Sequence, residues 1–202
     1  MLDLPQLVVP RLSATDRLVG LAPVFLRDAM TGAAPRRRTA LRVGLRVGVL
    51  CIRFDGRDAG VVATHTRRDA PLWEEDVYEV FLSPQDPAHH YYEFEVNPLG
   101  TLFDARVESP NLRREDMTVS TGWDCDGYSA RVTTRPGRWS AALRIPLAAL
   151  GPESPPAGRW RANFYRIDRG APDEYSAWSP TFADPADFHV PERFGYLTIC
   201  DL

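Results

Sequence analysis

Lysine is absent from this 202-residue chain, in which all 24 basic residues are arginine. That rules out a lysine Schiff base and a phosphate loop built on lysine, and codon bias explains the absence without any role in function. Cysteine is scarce: Cys51, Cys125 and Cys200 are widely spaced and odd in number. They fit free thiols better than a disulfide framework, and no Cys-x-x-Cys marks a zinc or redox site. No Gly-x-Ser-x-Gly elbow offers a nucleophilic serine. No run approaches the length of a membrane span, and the opening MLDLPQLVVPRLSATDR lacks the basic and apolar regions of a secretory signal, so the cytoplasm is the expected location. A net charge of -3 and a pI near 5.8 argue against a dedicated nucleic-acid surface. The run Arg36-Arg37-Arg38 is short enough to be a solvated loop. Hardly any segment carries a sustained 3.6-residue period, so little helix is expected.

What the chain does have is alternation. With 44% hydrophobic residues it can bury a substantial core, and no linker divides it, so residues 1–202 are expected to form one domain, with 1–38 the least defined part. The densest pattern is PLWEEDVYEVFLSPQDPAHHYYEFEVNPLGTLFDAR, from Pro71 to Arg106. In its first strand Tyr78, Val80 and Leu82 point one way, and Val77, Glu79 and Phe81 the other. In its second, Tyr92, Phe94 and Val96 oppose Tyr91, Glu93, Glu95 and Asn97. Pairing the two strands therefore lines up acids. The NPLG turn leads into a third strand, TLFDARV.

The same alternation makes LRVGLRVGVLCIRF, Leu41 to Phe54, a hairpin, and gives strands over Tyr128 to Thr134 and Arg138 to Ile145 around the turn RPGR. PLAAL reads as one helical turn, and PESPPAG as neither helix nor central strand. In the strand Arg159 to Asp168, Trp160, Ala162 and Phe164 should face the core, while Arg161, Asn163 and Tyr165 face away and offer hydrogen bonds. Trp123, Trp139 and Trp160 are expected in the core. Trp73 and Trp178 instead sit among polar and turn residues, which favours loop positions where a ring can meet a ligand.

PLWEEDVYEVFL, YYEFEVNPLGTLFDA, WRANFYRID, YSAWSPT and HVPERFGYL together resemble carbohydrate-binding module family 9 and its DOMON-like relatives, from about Thr39 onward. The resemblance implies an all-β, jelly-roll-like antiparallel sandwich with one or two short helical turns. It further implies a sugar held between two tryptophans, here Trp73 and Trp178, and a glutamate six residues after the first, here Glu79. The family's binding strand often supplies an arginine where this chain has Glu93 or Glu95. A polar residue three before the second tryptophan is here Tyr175. Structural calcium also occurs in the family, and the loop aspartates Asp55, Asp58, Asp124, Asp126, Asp184 and Asp187 are its candidates, although no loop has EF-hand spacing and turn formation is the better explanation of them.

Three functions compete. Non-catalytic binding of a mono- or oligosaccharide, or of a glycan end, needs aromatic plates for the C–H face of a pyranose and charged acceptors for its hydroxyls. A glycoside hydrolase would use Glu79 with Glu93 or Glu95. A haem-binding electron carrier, as among DOMON relatives, would need axial ligands from His65, His89, His90, His189, Met30 or Met117. The first is expected, from a free-standing module without nucleic-acid or membrane partners.

Overall fold

The structure is a computed structural model that describes residues 3–151 and 158–199. Cys200 and all of the PESPPAG loop except its glycine lie outside the described residues. The strands, in chain order, are β1 (Gln6–Val9), β2 (Val24–Phe25), β3 (Arg27–Asp28), β4 (Thr39–Arg46), β5 (Val49–Arg57), β6 (Val77–Ser83) and β7 (His90–Val96), followed by β8 (Leu102–Glu108), β9 (Thr118–Ser120), β10 (Ser129–Arg135), β11 (Arg138–Pro146), β12 (Gly158–Asp168), β13 (Glu174–Ala177) and β14 (Gly195–Ile199). Among the described residues helix is confined to short 3-10 turns, including the expected one at Leu147–Leu150, and five are found there where one or two were expected.

A nine-stranded sheet runs β1-β14-β12-β6-β7-β8-β9, with β13 beside β12 and β3 beside β13; a five-stranded sheet runs β10-β11-β5-β4-β2. Pairing is antiparallel throughout except for β1 on β14. The β4–β5 hairpin closes on Val47 and Gly48, with φ of 45° and 73°. A two-residue turn with both φ positive matches the twist of its strands, at a cost in backbone strain for the exposed, β-branched Val47.

The sheets pack face to face over the residues that the alternation marked: Tyr78, Val80 and Leu82 of β6, Tyr92, Phe94 and Val96 of β7, and Trp160, Ala162 and Phe164 of β12 meet Leu41, Ile52, Phe54, Trp139 and Leu143. Trp123 is partly buried against the same core. The opposite face of the nine-stranded sheet is also covered. Val77, Phe81, Tyr91, Phe103, Tyr165 and Ile167 form a second apolar cluster with Ala29, Ala70, Leu72, Phe188 and Phe194, which come from the loops laid over that face. The acids on this face are therefore roofed rather than solvated.

Candidate functional site

The roof is incomplete above the middle of β6 and β7. There a cavity of about 450 Å³ is lined by Trp73, Glu79, Glu93, Phe103, Tyr175, Phe188 and His189, among others. Trp73 belongs to the short turn Leu72–Glu74, ahead of β6. It is 43% exposed, the one exposed tryptophan among the described residues, and it meets Phe103 edge-on with ring centroids 5.4 Å apart. Arg169, just after β12, braces both sides of the opening. Its Nη2 donates to the Trp73 carbonyl at 2.7 Å, its Nη1 to the Tyr175 hydroxyl at 2.6 Å, and its backbone N–H to Asp76 Oδ1 at 2.7 Å. A rigid pair of aromatic walls follows from one fork-shaped cation.

Glu79 stands directly across from Glu95 in the β6–β7 register, and Glu93 lies two residues before Glu95 on the same face. One oxygen from each carboxyl lies within 4.8 Å of the others. The three side chains are nearly dry, at 3%, 5% and 0% exposure for Glu79, Glu93 and Glu95. Burial raises Glu79 and Glu95 well above the ordinary carboxyl range, and each feels neighbouring acid charge; Arg169 offsets part of the effect at Glu79. Burial pushes Glu93 up to about 7, moderated by a hydrogen bond from Glu95 and by Arg114. Glu79 Oε1 and both Glu95 oxygens lack a partner if all three acids are taken as ionised. A proton held by Glu95 and donated to Glu93 gives one of these three oxygens a partner, so the trio is best described as carboxyls sharing protons.

Of the residues expected at the site, Trp73, Glu79, Glu93 and Tyr175 line the cavity, and Glu95 lies beneath. Tyr165 sits behind the wall, stacked on Phe188 at 4.2 Å and donating to its carbonyl at 2.9 Å. The others serve the scaffold. Asn163 bonds both the N–H and the carbonyl of Ser179, Asn97 ties its own turn to the His65 carbonyl, and Arg161 is spent on Asp86 and the carbonyls of Pro191, Glu192 and Phe194.

Trp178 is the main correction. It is 6% exposed and belongs to the core between the sheets, edge-on to Phe164 at 5.6 Å. A Cβ on Gly195 would lie 2.5 Å from its ring. The expected clamp of two tryptophans is therefore not formed, and Tyr175 and Phe188 supply the other aromatic surface. Phe188 and Arg169 were not among the expected site residues, and His189 was expected only as a candidate haem ligand. Burial holds His189 down at about 4, hence neutral, with its Nδ1 2.7 Å from the Tyr91 hydroxyl. Met117 Sδ accepts from the same hydroxyl at 3.6 Å, so this histidine and methionine flank one phenol instead of facing each other across a haem-sized space.

The six calcium candidates do not converge. Asp55 pairs with Arg42 and Arg53, Asp187 with Arg114, and Asp126 and Asp184 are exposed. Asp58 joins Asp76 and Asp168, and Asp124 joins Asp69 and Asp104. A guanidinium already occupies each group: Arg166 bonds Asp58 and Asp168, and Arg68 bonds Asp104 and Asp124. Among the described residues no helix is long and apolar enough to cross a membrane.

The family model described as carbohydrate-binding family 9 matches residues 36–199. The chain belongs to carbohydrate-binding family 9. A curated relative in Arthroderma benhamiae (strain ATCC MYA-4681 / CBS 112371), called "Extracellular protein", is 27% identical over 175 residues, 79% of this chain and 78% of that protein. Among solved structures, a proposed carbohydrate-binding protein of Bacteroides uniformis ATCC 8492 superposes with a TM-score of 0.78 at 20% identity, over 96% of this chain and 98% of that one. A family 9 module of Caldicellulosiruptor kristjanssonii in complex with glucose gives 0.67 at 13% identity, over 98% and 97%. The cellotriose complex gives 0.64 at 13%, over 96% and 93%. At such identities these likenesses establish the shared sandwich, while membership in carbohydrate-binding family 9 rests on the family match.

Proposed function

We propose that the cavity beside Trp73 binds a pyranose unit at the end of a glycan, or a free oligosaccharide, without chemical turnover. The observation that carries this reading is the single exposed tryptophan set over two dry carboxyls, Glu79 and Glu93, in a cavity of about 450 Å³. Trp73 offers a flat apolar surface to ring C–H groups, and Tyr175 and Phe188 add aromatic surface beside it. Carboxyls that share protons can donate to one hydroxyl and accept from another, which suits a ring whose substituents do both. The glucose and cellotriose bound by the Caldicellulosiruptor module make a glucose unit the first ligand to test.

Binding without hydrolysis agrees with the placement of the acids. Glycosidases set two carboxyls on either side of the scissile bond, at least about 5 Å apart. Here three carboxyls crowd together on one wall, with Glu95 sealed beneath. Neither wild type nor Glu79→Gln is expected to release aryl alcohol from aryl glycosides.

If Trp73 covers on the order of 50 Å² of sugar, its loss removes roughly 1.3 kcal/mol, close to a tenfold change in affinity. Calorimetric titration with cellotriose should therefore show Trp73→Ala weakened about tenfold or more at an unchanged melting temperature, with Glu79→Gln weakened as well. Equal affinity in all three proteins would remove the sugar from this cavity.

A further inference from the structure

The outer face of the five-stranded sheet carries a charge pattern that sugar binding does not use. Strands β4, β5, β10 and β11 contain eight arginines, two per strand, and a single acid, Asp55. All eight occupy outward positions, because the buried residues of these strands, such as Leu41, Ile52, Trp139 and Leu143, fall in the other parity. The registers set like charges directly across from one another: Arg57 opposes Arg138, Arg138 opposes Arg135, and Arg42 opposes Arg53. Cross-strand pairs of like charge destabilise a sheet unless something neutralises them. Asp55 does so for one row, accepting from Arg42 Nη1 at 3.0 Å and Arg53 Nε at 2.9 Å. The row of Arg57, Arg138 and Arg135 has no such acid, and its three side chains are exposed.

Between the rows lies a groove of about 710 Å³, closed at one end by Phe25, whose ring carries the Arg38 guanidinium 3.4 Å from its centroid. Strand spacing of roughly 4.8 Å, and roughly 7 Å between residues on the same face, spread the arginines over an area on the order of 14 Å each way. A single phosphate or sulfate would engage only a corner of such an array. Guanidinium forks suit planar carboxylates and tetrahedral oxyanions with two parallel hydrogen bonds.

We propose that this face binds an anionic glycan, a chain bearing repeated sulfate or carboxylate groups, on the side of the sandwich opposite the sugar cavity. Complementary charge sets the ligand class, and the repeated spacing calls for a polymer. A single-stranded nucleic acid finds no free aromatic platform here, since the Phe25 face is already taken by Arg38.

The test uses the whole chain in about 0.15 M salt with four probes: a heparin oligosaccharide, a polygalacturonate oligosaccharide, cellotriose and a DNA duplex. Binding of heparin or polygalacturonate should weaken at least tenfold in Arg57→Gln/Arg135→Gln/Arg138→Gln, and should persist in Arg27→Gln/Arg67→Gln/Arg113→Gln, which changes arginines in or beside the larger sheet. Which of the two probes binds more tightly distinguishes sulfate from carboxylate recognition. The first triple variant should keep or raise its melting temperature, because it removes opposed like charges, and should bind cellotriose as wild type does. The proposal is overturned if neither anionic glycan binds, if both triple variants lose binding equally, or if the DNA duplex binds more tightly than either glycan.

Discussion

Trp178→Ala is expected to destabilise the protein by roughly 3 to 5 kcal/mol, the range for emptying a buried aromatic site. For a chain of this size that lowers the melting temperature by about 6 to 20 °C. The ring fills the space over Gly195 of β14 and against Phe164 of β12, and its backbone N–H donates to the Phe164 carbonyl at 2.8 Å. Its removal leaves a cavity between strands that cannot close, because β12 is pinned on both sides by β6 and β14. Below the melting transition the variant should keep its affinity for cellotriose, since the ring does not line the sugar cavity. A stable Trp178→Ala protein that no longer binds sugar would return this residue to the site.

The second large effect concerns pH. Glu93 rises from its ordinary 4.5 to about 7, and Glu79 and Glu95 rise in the same direction, all chiefly through burial. The sign follows from the raised values. Between the unfolded and folded pKa the native state holds a proton that the unfolded chain has released, so the stabilisation is complete below about pH 4.5 and lost as pH climbs through 7 and beyond. A rise of that size, from 4.5 to about 7, corresponds to on the order of 3 kcal/mol across that window, shared by the proton-sharing trio. Asp104, raised to about 6 by burial, acts in the same sense. The melting temperature should therefore fall by several degrees between about pH 5 and pH 8. In Glu95→Gln, which takes one acid out of the trio, the fall should shrink by that acid's share and persist in part, because burial still raises Glu79 and Glu93. A flat wild-type profile, or an equally steep one in the variant, would mean the three carboxyls are not the source.

Most of the scaffold was legible because the long strands carry a largely apolar face: Tyr78, Val80, Leu82 and Trp160, Ala162, Phe164 announce themselves by period two. The acids were placed on the correct face for the same reason, and adjacent strands implied that they line up, while the register that sets Glu79 opposite Glu95 rather than Glu93 came only with the structure. What local sequence could not show was the roof. Glu79, Glu93 and Glu95 look like a solvated edge until loops carrying Leu72, Phe188 and Phe194 fold over them, and those contacts span a hundred residues. Trp178 misled because SAWSPT is polar, yet Ser176 and Ser179 are themselves buried and Ser179 is bonded to Asn163. The Asn163 side chain satisfies the Ser179 backbone while the Ser179 hydroxyl itself has no partner among the described residues, so polarity in that stretch does not mark exposure. Arg169 was invisible as a site residue because its role is to join Trp73 and Tyr175, which no spacing reveals.

The central claim is that sugar is recognised at Trp73, and five tryptophans in one chain make it directly measurable. Two-dimensional NMR of the 15N-labelled protein resolves the five indole N–H signals, and single Trp→Phe variants assign them. On titration with cellotriose the Trp73 signal should shift and saturate, Trp123 should move little, and the buried Trp139, Trp160 and Trp178 should stay where they are. A Trp73 signal unmoved by saturating sugar, or a shift confined to Trp178, would contradict the account.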